Sequence, residues 1–511
     1  MNESFSRRTA LTLAAVCLSS LMFGLEISSI PAILPTLEQV LKADFKQLQW
    51  IMNAYTIAVT AVLMGAGALA DRYGRKRVFV TGIVTFGIAS LICGLTDSVK
   101  VLIIARFVQG MAGGVMLICQ IAVLSHQFQS GRLRGIAFSW WGIVFGVGLG
   151  FGPIVGGAIV ALWSWEWVFL VHVLLSGVTT ALALAGVQGS RDPNADSLDI
   201  AGIVTLAAAV FSLAYYITQG PDLGVTSPTA LSILGFAILS LIGFVIAERT
   251  SARPMFDFSV FRIRRFSGAL FGSIGMNISF WPFMIYLPIW FQAGLGYDGV
   301  VASMALLAYT LPTLIVPPVA ERMMLRLSPG IVIPAGLFTI GLGFVIMKIG
   351  SSVSDASWLT MLPGCVLAGI GLGFTNTTVT NAATGAVTSE RVGMASGIDT
   401  SARMISLAIN IALMGLILVE GVLFVLKRSL PQQTLDTELR MLAEKISAGS
   451  TIASHYGLED SVVHAALRDG FGWVMLYGAL GVWLCAAASL VVFTLPSKPE
   501  NEPKGSIVKS T

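Results

Sequence analysis

The stretch that decides the fold is Gly67-Ala-Leu-Ala-Asp71-Arg72-Tyr-Gly74-Arg75-Lys76-Arg77, a short cationic loop between two long apolar segments. Basic residues concentrated beside a membrane span hold a loop on the cytoplasmic side. A topological anchor needs only those charges, and that simple reading is one alternative. The glycines and the acidic residue are superfluous to it, so the stretch also predicts a place where two helices approach closely and are held by charge.

The composition around this loop is typical of an integral membrane protein. Of 511 residues, 55% are hydrophobic and 11% are charged, and the mean hydropathy is +0.82. Soluble domains carry about 25% charged residues, so this chain has too much apolar surface for a water-soluble fold. We therefore expect an all-α integral membrane protein, in which each span needs roughly 20 residues.

The distribution of positive charge predicts the topology. Apolar stretches of spanning length occur fourteen times, and an even count places both termini on the same side. Twenty of the 31 Lys and Arg residues fall in segments that are inside if the N-terminus is inside, and nine fall in outside segments. Because positive residues favour the cytoplasmic side, both termini are predicted to be cytoplasmic. The outside loop 427–469 is expected to contain one short amphipathic helix.

Three motifs in register resemble those of the major facilitator superfamily. The loop Gly67–Arg77 resembles the family's signature loop between the second and third helices. Arg106-x-x-Gln109-Gly110-x-x-Gly113-Gly114 in span four looks like its buried-arginine motif, and Gly148-x-x-x-Gly152-Pro153-x-x-Gly156-Gly157 in span five looks like its antiporter motif. Fourteen spans, Trp165–Trp167 and the segment Arg253–Asp257 are similar to the drug:proton antiporter branch, which includes multidrug and quaternary-ammonium exporters.

The resemblance implies two six-helix bundles around a central cavity, with two additional spans between them at 199–218 and 229–247. The N-terminal bundle would cover 1–187, and the additional spans with a cytoplasmic linker would cover 188–266. The C-terminal bundle would cover 267–495 and include the outside loop, and 496–511 would form a cytoplasmic tail. Such a protein would be a multi-pass protein of the plasma membrane, here the bacterial inner membrane, and a monomer.

The expected gating loop contains Gly67, Asp71, Arg72, Gly74, Arg75 and Arg77. The two glycines would permit close backbone approach, and the carboxylate of Asp71 would face an arginine or the positive N-terminus of a neighbouring helix. Breaking this latch would favour access from the other side of the membrane. Where the family often has an acid at the inner end of span four, this chain has Ser125-His126-Gln127.

Charges within spans are costly and usually functional. At about 1.5 Å per residue, Glu26 lies roughly 14 Å and Arg106 roughly 8 Å below the predicted outer ends of their helices. The two side chains can therefore approach each other if spans one and four are neighbours. Burial favours the protonated form of a carboxyl and a nearby arginine favours its charged form. A carboxyl balanced between these effects can load and release a proton, and a static buried ion pair is the alternative.

A second pair, Asp399 and Arg403, is four residues apart in span thirteen and so shares one helix face. The two side chains either neutralise each other, or Asp399 faces the cavity as a second proton or cation site. The antiporter motif of span five, Gly148, Gly152, Pro153, Gly156 and Gly157, is expected to provide close, bendable packing between moving bundles.

The substrate cavity should combine apolar and aromatic walls with a few polar groups. The candidates in spans two, four, five, nine and twelve are Asn53, Tyr55, Gln120, Trp140, Trp141, Asn277, Phe280, Trp281, Asn376 and Asn381. Three prolines in span ten, Pro312, Pro317 and Pro318, are expected to make that helix flexible instead of contacting ligand.

These features favour secondary active export, in which an external proton drives the release of an amphipathic or cationic drug-like compound. A dedicated metabolite, siderophore or peptide exporter and an uncoupled facilitator remain alternatives of the same fold. We expect no enzymatic activity, because the sequence contains no phosphate-binding loop, no Gly-x-Ser-x-Gly elbow and no metal-ligand cluster among its four histidines. The expected partners are a small-molecule substrate, protons and the lipid bilayer, without nucleic acid, metal or a cofactor other than the proton gradient.

Overall fold

The chain is described by a computed structural model over residues 6–128, 131–190, 199–251, 258–324, 326–353, 355–387, 392–430, 436–449 and 459–494. A few side chains within these ranges, that of Asp71 among them, are not described. The described residues form helices and connecting turns without any β-strand. Twelve of these helices are long and apolar enough to cross a membrane, which confirms the all-α, multi-pass prediction.

The first six helices pack against one another. They are α1 (Arg7–Leu41), α2 (Phe45–Tyr73), α3 (Arg75–Leu95), α4 (Val99–Gln127), α5 (Gly131–Leu162) and α6 (Glu166–Gly186). Helix α1 packs on α5 and α6, and α4 packs on α2 and α3. Local sequence sets the start of α2, because the carboxylate of Asp44 accepts from the backbone N–H of Gln47 and the Gln47 side chain accepts from the Asp44 N–H.

Two further helices follow, α7 (Ile200–Leu223) and α8 (Pro228–Thr250). They pack against each other, and α7 also contacts α2 and the later helix α16 (Val392–Ser429). The start of α8 is the sequence Ser227-Pro228, in which the serine hydroxyl caps the helix and proline occupies its first turn. The linker segment Arg253–Asp257, singled out in the sequence, lies outside the described residues.

The second half contains broken helices at two places. It comprises α9 (Arg264–Ile278), α10 (Phe280–Ile289), α11 (Gly299–Thr310), α12 (Pro312–Ile315), α13 (Pro317–Met324), α14 (Pro329–Ser351), α15 (Trp358–Thr384), α16 (Val392–Ser429), α17 (Asp436–Ser447) and α18 (Asp460–Thr494). Proline removes a backbone donor and clashes with the preceding turn. Accordingly, Pro312 and Pro317, two of the prolines predicted to make span ten flexible, each begin a new helical segment.

The amphipathic helix predicted within 427–469 is present as α17. Its apolar side chains Leu439, Leu442 and Ile446 are buried, and the helix packs against α2, α16 and α18. Lys46 of α2 lies 3.6 Å from Glu444 of α17. The apolar face of α17 is therefore covered by the protein itself.

The two halves meet at the end of the molecule where α1 joins α2. The amide of Gln49 in α2 donates to the hydroxyl of Tyr286 in α10 over 3.3 Å. Gln292 donates to the carbonyl of Ala32 in α1, also over 3.3 Å. We call these two contacts the outer seam, after the side on which the sequence predicts this end to lie. Since α1 and α2 belong to one half and residues 286 and 292 to the other, the seam joins the two halves at this end.

Candidate functional site

The basic loop contacts the C-terminal end of α6. The backbone N–H of Arg75 donates to the carbonyl of Ser190 over 2.9 Å, and the ammonium of Lys76 donates to the carbonyl of Leu184 over 2.7 Å. Gly74 joins α2 to α3 with a φ of +101°, a conformation that side chains other than glycine rarely adopt. The loop therefore ties α3 to the segment after α6, within the first half.

Two expectations for this loop have different outcomes. At Gly67 the expected close backbone approach is not found among the described atoms. A Cβ added to this glycine would lie 3.7 Å from Ile118 Cγ2, which is an ordinary van der Waals distance. The partner of Asp71 stays a prediction, since its side chain lies outside the described residues. Where the family often has an acid in α4, Gln127 instead accepts from the backbone N–H of Gln188 over 3.3 Å and so links α4 to the same segment.

Glu26 and Arg106 form a buried ion pair, which confirms the contact that their estimated depths predicted. Both side chains are 0% exposed, and Arg106 Nη1 donates to Glu26 Oε1. The guanidinium also donates to the Gln109 side-chain oxygen over 2.7 Å and, through Nε, to the carbonyl of Ile51 over 3.2 Å. Such an arrangement meets the condition for burying charge, which is that it be paired and hydrogen-bonded.

Residues of α2, α3 and α4 surround this ion pair. Gln109 donates onward to the hydroxyl of Ser90 in α3 over 2.8 Å. The ring of Tyr55 in α2 lies 4.4 Å from the Arg106 guanidinium carbon, in cation–π geometry. Tyr55, placed in the substrate cavity by the sequence, thus lies directly beside the ion pair.

His172 in α6 completes this cluster and was not singled out by the sequence reasoning. Its Nδ1 lies 3.4 Å from Glu26 Oε2 and 3.0 Å from the carbonyl of Val168, and the side chain is 1% exposed. A signal for it exists in the sequence, because His172 lies six residues and Arg106 seven residues after the first residue of two spans that are predicted to run in the same direction. We call Glu26, Arg106 and His172 the buried triad.

The antiporter motif of α5 forms the contact with α1 and α11. An added Cβ at Gly148 would lie 2.8 Å from the carbonyl oxygen of Leu21, and at Gly156 it would lie 2.9 Å from that of Ser29. Gly152 faces Ser28 of α1, whose hydroxyl donates to the Gly148 carbonyl over 3.0 Å. Gly157 faces Ser303 of α11 in the other half. Pro153 lies within α5, which continues past it as one helix.

Asp399 and Arg403 form an intrahelical pair within a wider polar cluster. Arg403 Nε donates to Asp399 Oδ2 over 3.1 Å, and Ser273 of α9 donates to the other carboxylate oxygen. The guanidinium also donates to the side chains of Asn376, over 2.6 Å, and Thr380, over 3.0 Å. Both charges therefore have partners, an arrangement that corresponds to the self-neutralising alternative.

Two of the predicted cavity residues, Tyr55 and Trp141, belong to a row of aromatic side chains that begins at the triad. Trp141 stacks on Phe145 with ring centroids 6.3 Å apart, and Phe145 stacks on Phe23 at 6.1 Å. Phe23 in turn lies 6.2 Å from the ring of Tyr55. We call these four residues the aromatic row. The indole of Trp141 also donates to the side-chain oxygen of Gln120 over 2.8 Å.

The remaining cavity candidates are dispersed. Phe280 is buried in the second half, stacked on Tyr309 with centroids 4.0 Å apart, and Trp281 packs edge-on against it. Asn53 and Asn277 are buried, Asn376 binds Arg403, and Asn381 and Trp140 are exposed. Of the predicted cavity residues, Tyr55 lies beside the triad. Trp141 and Gln120 contact each other at the far end of the aromatic row, about 21 Å along α4 from Arg106. Phe280 belongs to the second half.

A family model described as Major Facilitator Superfamily matches residues 16–411. The chain belongs to the major facilitator superfamily. It is therefore a multi-pass membrane transporter of small molecules and not an enzyme. The superfamily resemblance drawn from the three motifs is confirmed.

Relatives of this chain include proteins named for drug resistance and drug export. The multidrug resistance protein Stp of Mycobacterium tuberculosis is 29% identical over 453 residues, which cover 88% of this chain and 84% of Stp. The tetracenomycin C resistance and export protein of Streptomyces glaucescens is 27% identical, covering 96% of this chain and 92% of the relative. The quinolone resistance protein NorB of Staphylococcus aureus is 27% identical over 81% of this chain and 89% of NorB.

Solved transporters share the fold. A POT family transporter crystallised with 5-aminolevulinic acid superposes with a TM-score of 0.59 at 17% identity, covering 85% of this chain and 93% of the other. A D-xylose–proton symporter superposes with a TM-score of 0.57 at 12% identity, covering 93% and 97%. At these identities the likeness concerns the fold alone.

Proposed function

We propose that this protein is a secondary active exporter that exchanges external protons for amphipathic or cationic drug-like compounds by alternating access. The observation that carries the proposal is the ion pair of Glu26 and Arg106, buried without exposure in transmembrane helices. The names of the relatives, which refer to resistance to drugs and to their export, support the substrate class. Protons supply the energy in this proposal, and no cofactor takes part.

The contacts of the pair suggest how protonation is coupled to access. Arg106 binds Glu26 of α1 and the carbonyl of Ile51 in α2. The same two helices carry Ala32 and Gln49, which form the outer seam. A proton on Glu26 removes the negative charge that attracts Arg106. The attraction that holds α1 and α2 to Arg106 is then weaker, and these two helices also carry the residues that form the outer seam. Proton entry from outside would thus favour opening on that side.

The aromatic row supplies a wall for the proposed substrate. Aromatic rings bind cationic and flat apolar groups through their faces, and Trp141 and Gln120 add a polar contact beside them. Because Tyr55 contacts both Phe23 and Arg106, the row reaches the ion pair. Substrate bound against it would be within reach of the charge change that the proton causes.

The proposal includes fourteen spans with both termini cytoplasmic, in the bacterial inner membrane. Beyond the twelve helices that qualify by length and hydropathy, α2 has 29 residues and packs within the first half. The interrupted segment Gly299–Met324, formed by α11, α12 and α13, provides a further crossing. The excess of Lys and Arg in the segments predicted to be inside supports the orientation.

The proposal is tested with purified protein in liposomes that contain a pH-sensitive dye and an acidic lumen. Addition of a quaternary ammonium dye outside should raise the luminal pH as protons leave in exchange. Glu26→Gln should abolish this flux. Glu420→Gln is the matched control, because that side chain of α16 is 43% exposed and pairs with Arg440 of α17.

The alternatives give other results. Dye entry without proton movement in the wild type would identify an uncoupled facilitator. An absence of both dye entry and proton movement across a panel of cationic and amphipathic drugs would favour a dedicated metabolite, siderophore or peptide exporter. Undiminished proton flux in Glu26→Gln would move the coupling role to Asp399 or elsewhere.

A further inference from the structure

We propose that His172 is a proton relay to Glu26, taking up the external proton on one ring nitrogen and passing a proton from the other to the carboxylate. This inference rests on the proposed proton-coupled export and assigns a residue within it. The relay would act through Glu26, so His172 is a positioning and transfer residue.

The neighbours of the ring define its tautomer. Nδ1 lies 3.0 Å from the carbonyl oxygen of Val168 and 3.4 Å from Glu26 Oε2. Both neighbours are acceptors while Glu26 is ionised, so a neutral His172 carries its proton on Nδ1. The lone pair is then on Nε2. Nε2 of His172 is buried and has no hydrogen-bond partner among the described residues. Glu26 Oε2 is also buried without a hydrogen bond there, and Nδ1 of the His172 ring lies 3.4 Å from it.

The step balances in protons. A proton binds to the lone pair of Nε2 and gives an imidazolium, which faces the carboxylate of Glu26. The N–H bond at Nδ1 then breaks, and its proton forms an O–H bond at Glu26 Oε2. The imidazole is left neutral with its proton on Nε2, and the carboxyl is neutral beside Arg106. While the proton is on His172, Glu26 stays ionised and its ion pair with Arg106 is kept. Only the transfer of the proton to Glu26 weakens that pair.

The charges around His172 favour the binding of one proton, and not two, by the pair of His172 and Glu26. Helix α1 contributes Glu26 and α4 contributes Arg106, and their charges cancel while His172 is neutral. Helix α3 contributes Phe86, whose ring centroid lies 5.8 Å from that of His172. It also contributes Cys93, whose thiol lies beside the Gln109 side chain. Helix α5 has no titratable residue between 136 and 162, and α6 itself has only Glu166 at its outer end. A second proton would leave two positive charges in a dry environment, which is costly.

The sharpest test uses His172→Asn, because the amide nitrogen of asparagine can occupy the position of Nδ1 and still donate to Glu26. Unlike imidazole, the asparagine side chain cannot accept a proton and pass one on. Wild type, His172→Asn and Glu26→Gln are compared in liposomes for two activities: exchange of labelled for unlabelled quaternary ammonium dye, and dye-driven proton flux from pH 5.5 to 8.5. His464→Asn is the matched control, since its Nδ1 also contacts a carbonyl, that of Gly294, 3.0 Å away.

We expect His172→Asn to retain dye-for-dye exchange and to lose about tenfold or more of the proton flux, as expected when a positioned proton-transfer group is removed. Its pH profile should differ from that of the wild type, and His464→Asn should match the wild type in both activities. A His172→Asn variant with wild-type flux and pH profile would overturn the relay and leave the proposed function standing. Equal loss of dye exchange and proton flux would also overturn it, because the role would then be structural. A wild type without proton flux would overturn the proposed function and the relay together.

Discussion

The indole N–H of Trp141 donates a hydrogen bond to the side-chain oxygen of Gln120 over 2.8 Å, joining α5 to α4 at the end of the aromatic row. Gln120 is buried, so the loss of this donor leaves an oxygen without its partner, at a cost of about 1–3 kcal/mol. If this pair forms part of the substrate wall, its rupture should weaken substrate binding and leave proton transfer intact.

Trp141→Phe is therefore expected to raise the KM for export of a quaternary ammonium dye several-fold without changing the ratio of protons to dye. Transport assays at varied dye concentration measure the KM, and parallel pH recordings measure the ratio. Trp140→Phe is the matched control, because the neighbouring indole is 53% exposed. An altered proton ratio with an unchanged KM would contradict the assignment.

Gly148→Ala is expected to lower the thermal stability of the purified protein. The added methyl group would lie 2.8 Å from the Leu21 carbonyl oxygen and 3.1 Å from the Leu25 nitrogen, so α1 and α5 would have to separate. Overpacking of this kind costs about 1–3 kcal/mol. Gly142→Ala in the same helix has open space around the new methyl group and should keep the wild-type unfolding temperature. Equal effects of both substitutions would refute close packing at Gly148.

Asp399→Asn is expected to destabilise the second half without altering proton coupling. The carboxylate is already bound by Ser273 and Arg403, and Arg403 has further partners in Asn376 and Thr380. Removal of the negative charge leaves a guanidinium that is 15% exposed with less compensation. Thermal unfolding should shift downward while the proton-to-dye ratio stays at the wild-type value. A lost proton flux with intact dye-for-dye exchange would make Asp399 a coupling site.

Gly415→Val is expected to loosen the outer seam. A side chain at this position of α16 would collide with the amide of Gln49 and would lie 2.7 Å from the hydroxyl of Tyr286. A cysteine placed at Gln292 should then react faster with a membrane-impermeant maleimide added outside. Gly397→Val, in the same helix with open space around it, should leave the labelling rate unchanged. No acceleration in Gly415→Val would show that the seam tolerates the added volume.

The sequence predicted the features that depend on local rules. Composition indicates membrane helices because too few charged residues are present to cover a soluble surface. The prolines at 312 and 317 interrupt a helix because proline lacks the backbone donor and clashes with the preceding turn. The contact of Glu26 with Arg106 could be predicted from the depth of each residue in its own span. These inferences need no knowledge of how distant helices rotate about their axes.

The features that escaped prediction depend on helix rotation and on tertiary partners. Phe280 has the composition of a cavity wall, but the rotation of its helix stacks it on Tyr309 in the second half. His172 was considered only as a possible metal ligand, because a single histidine does not reveal which carboxylate it will face. Gly67 fits a motif, but the described atoms nearest to it are at ordinary distance, so its role does not follow from packing.

Dye accumulation in liposomes under an imposed pH gradient, acidic inside and with the membrane potential clamped to zero, distinguishes proton-coupled export from passive equilibration. Wild-type protein is predicted to concentrate a quaternary ammonium dye in the lumen above its external level. Glu26→Gln should allow at most equilibration, and Glu420→Gln should accumulate dye as the wild type does. Equilibration without accumulation in the wild type, or full accumulation in Glu26→Gln, would contradict proton-coupled export through the buried triad.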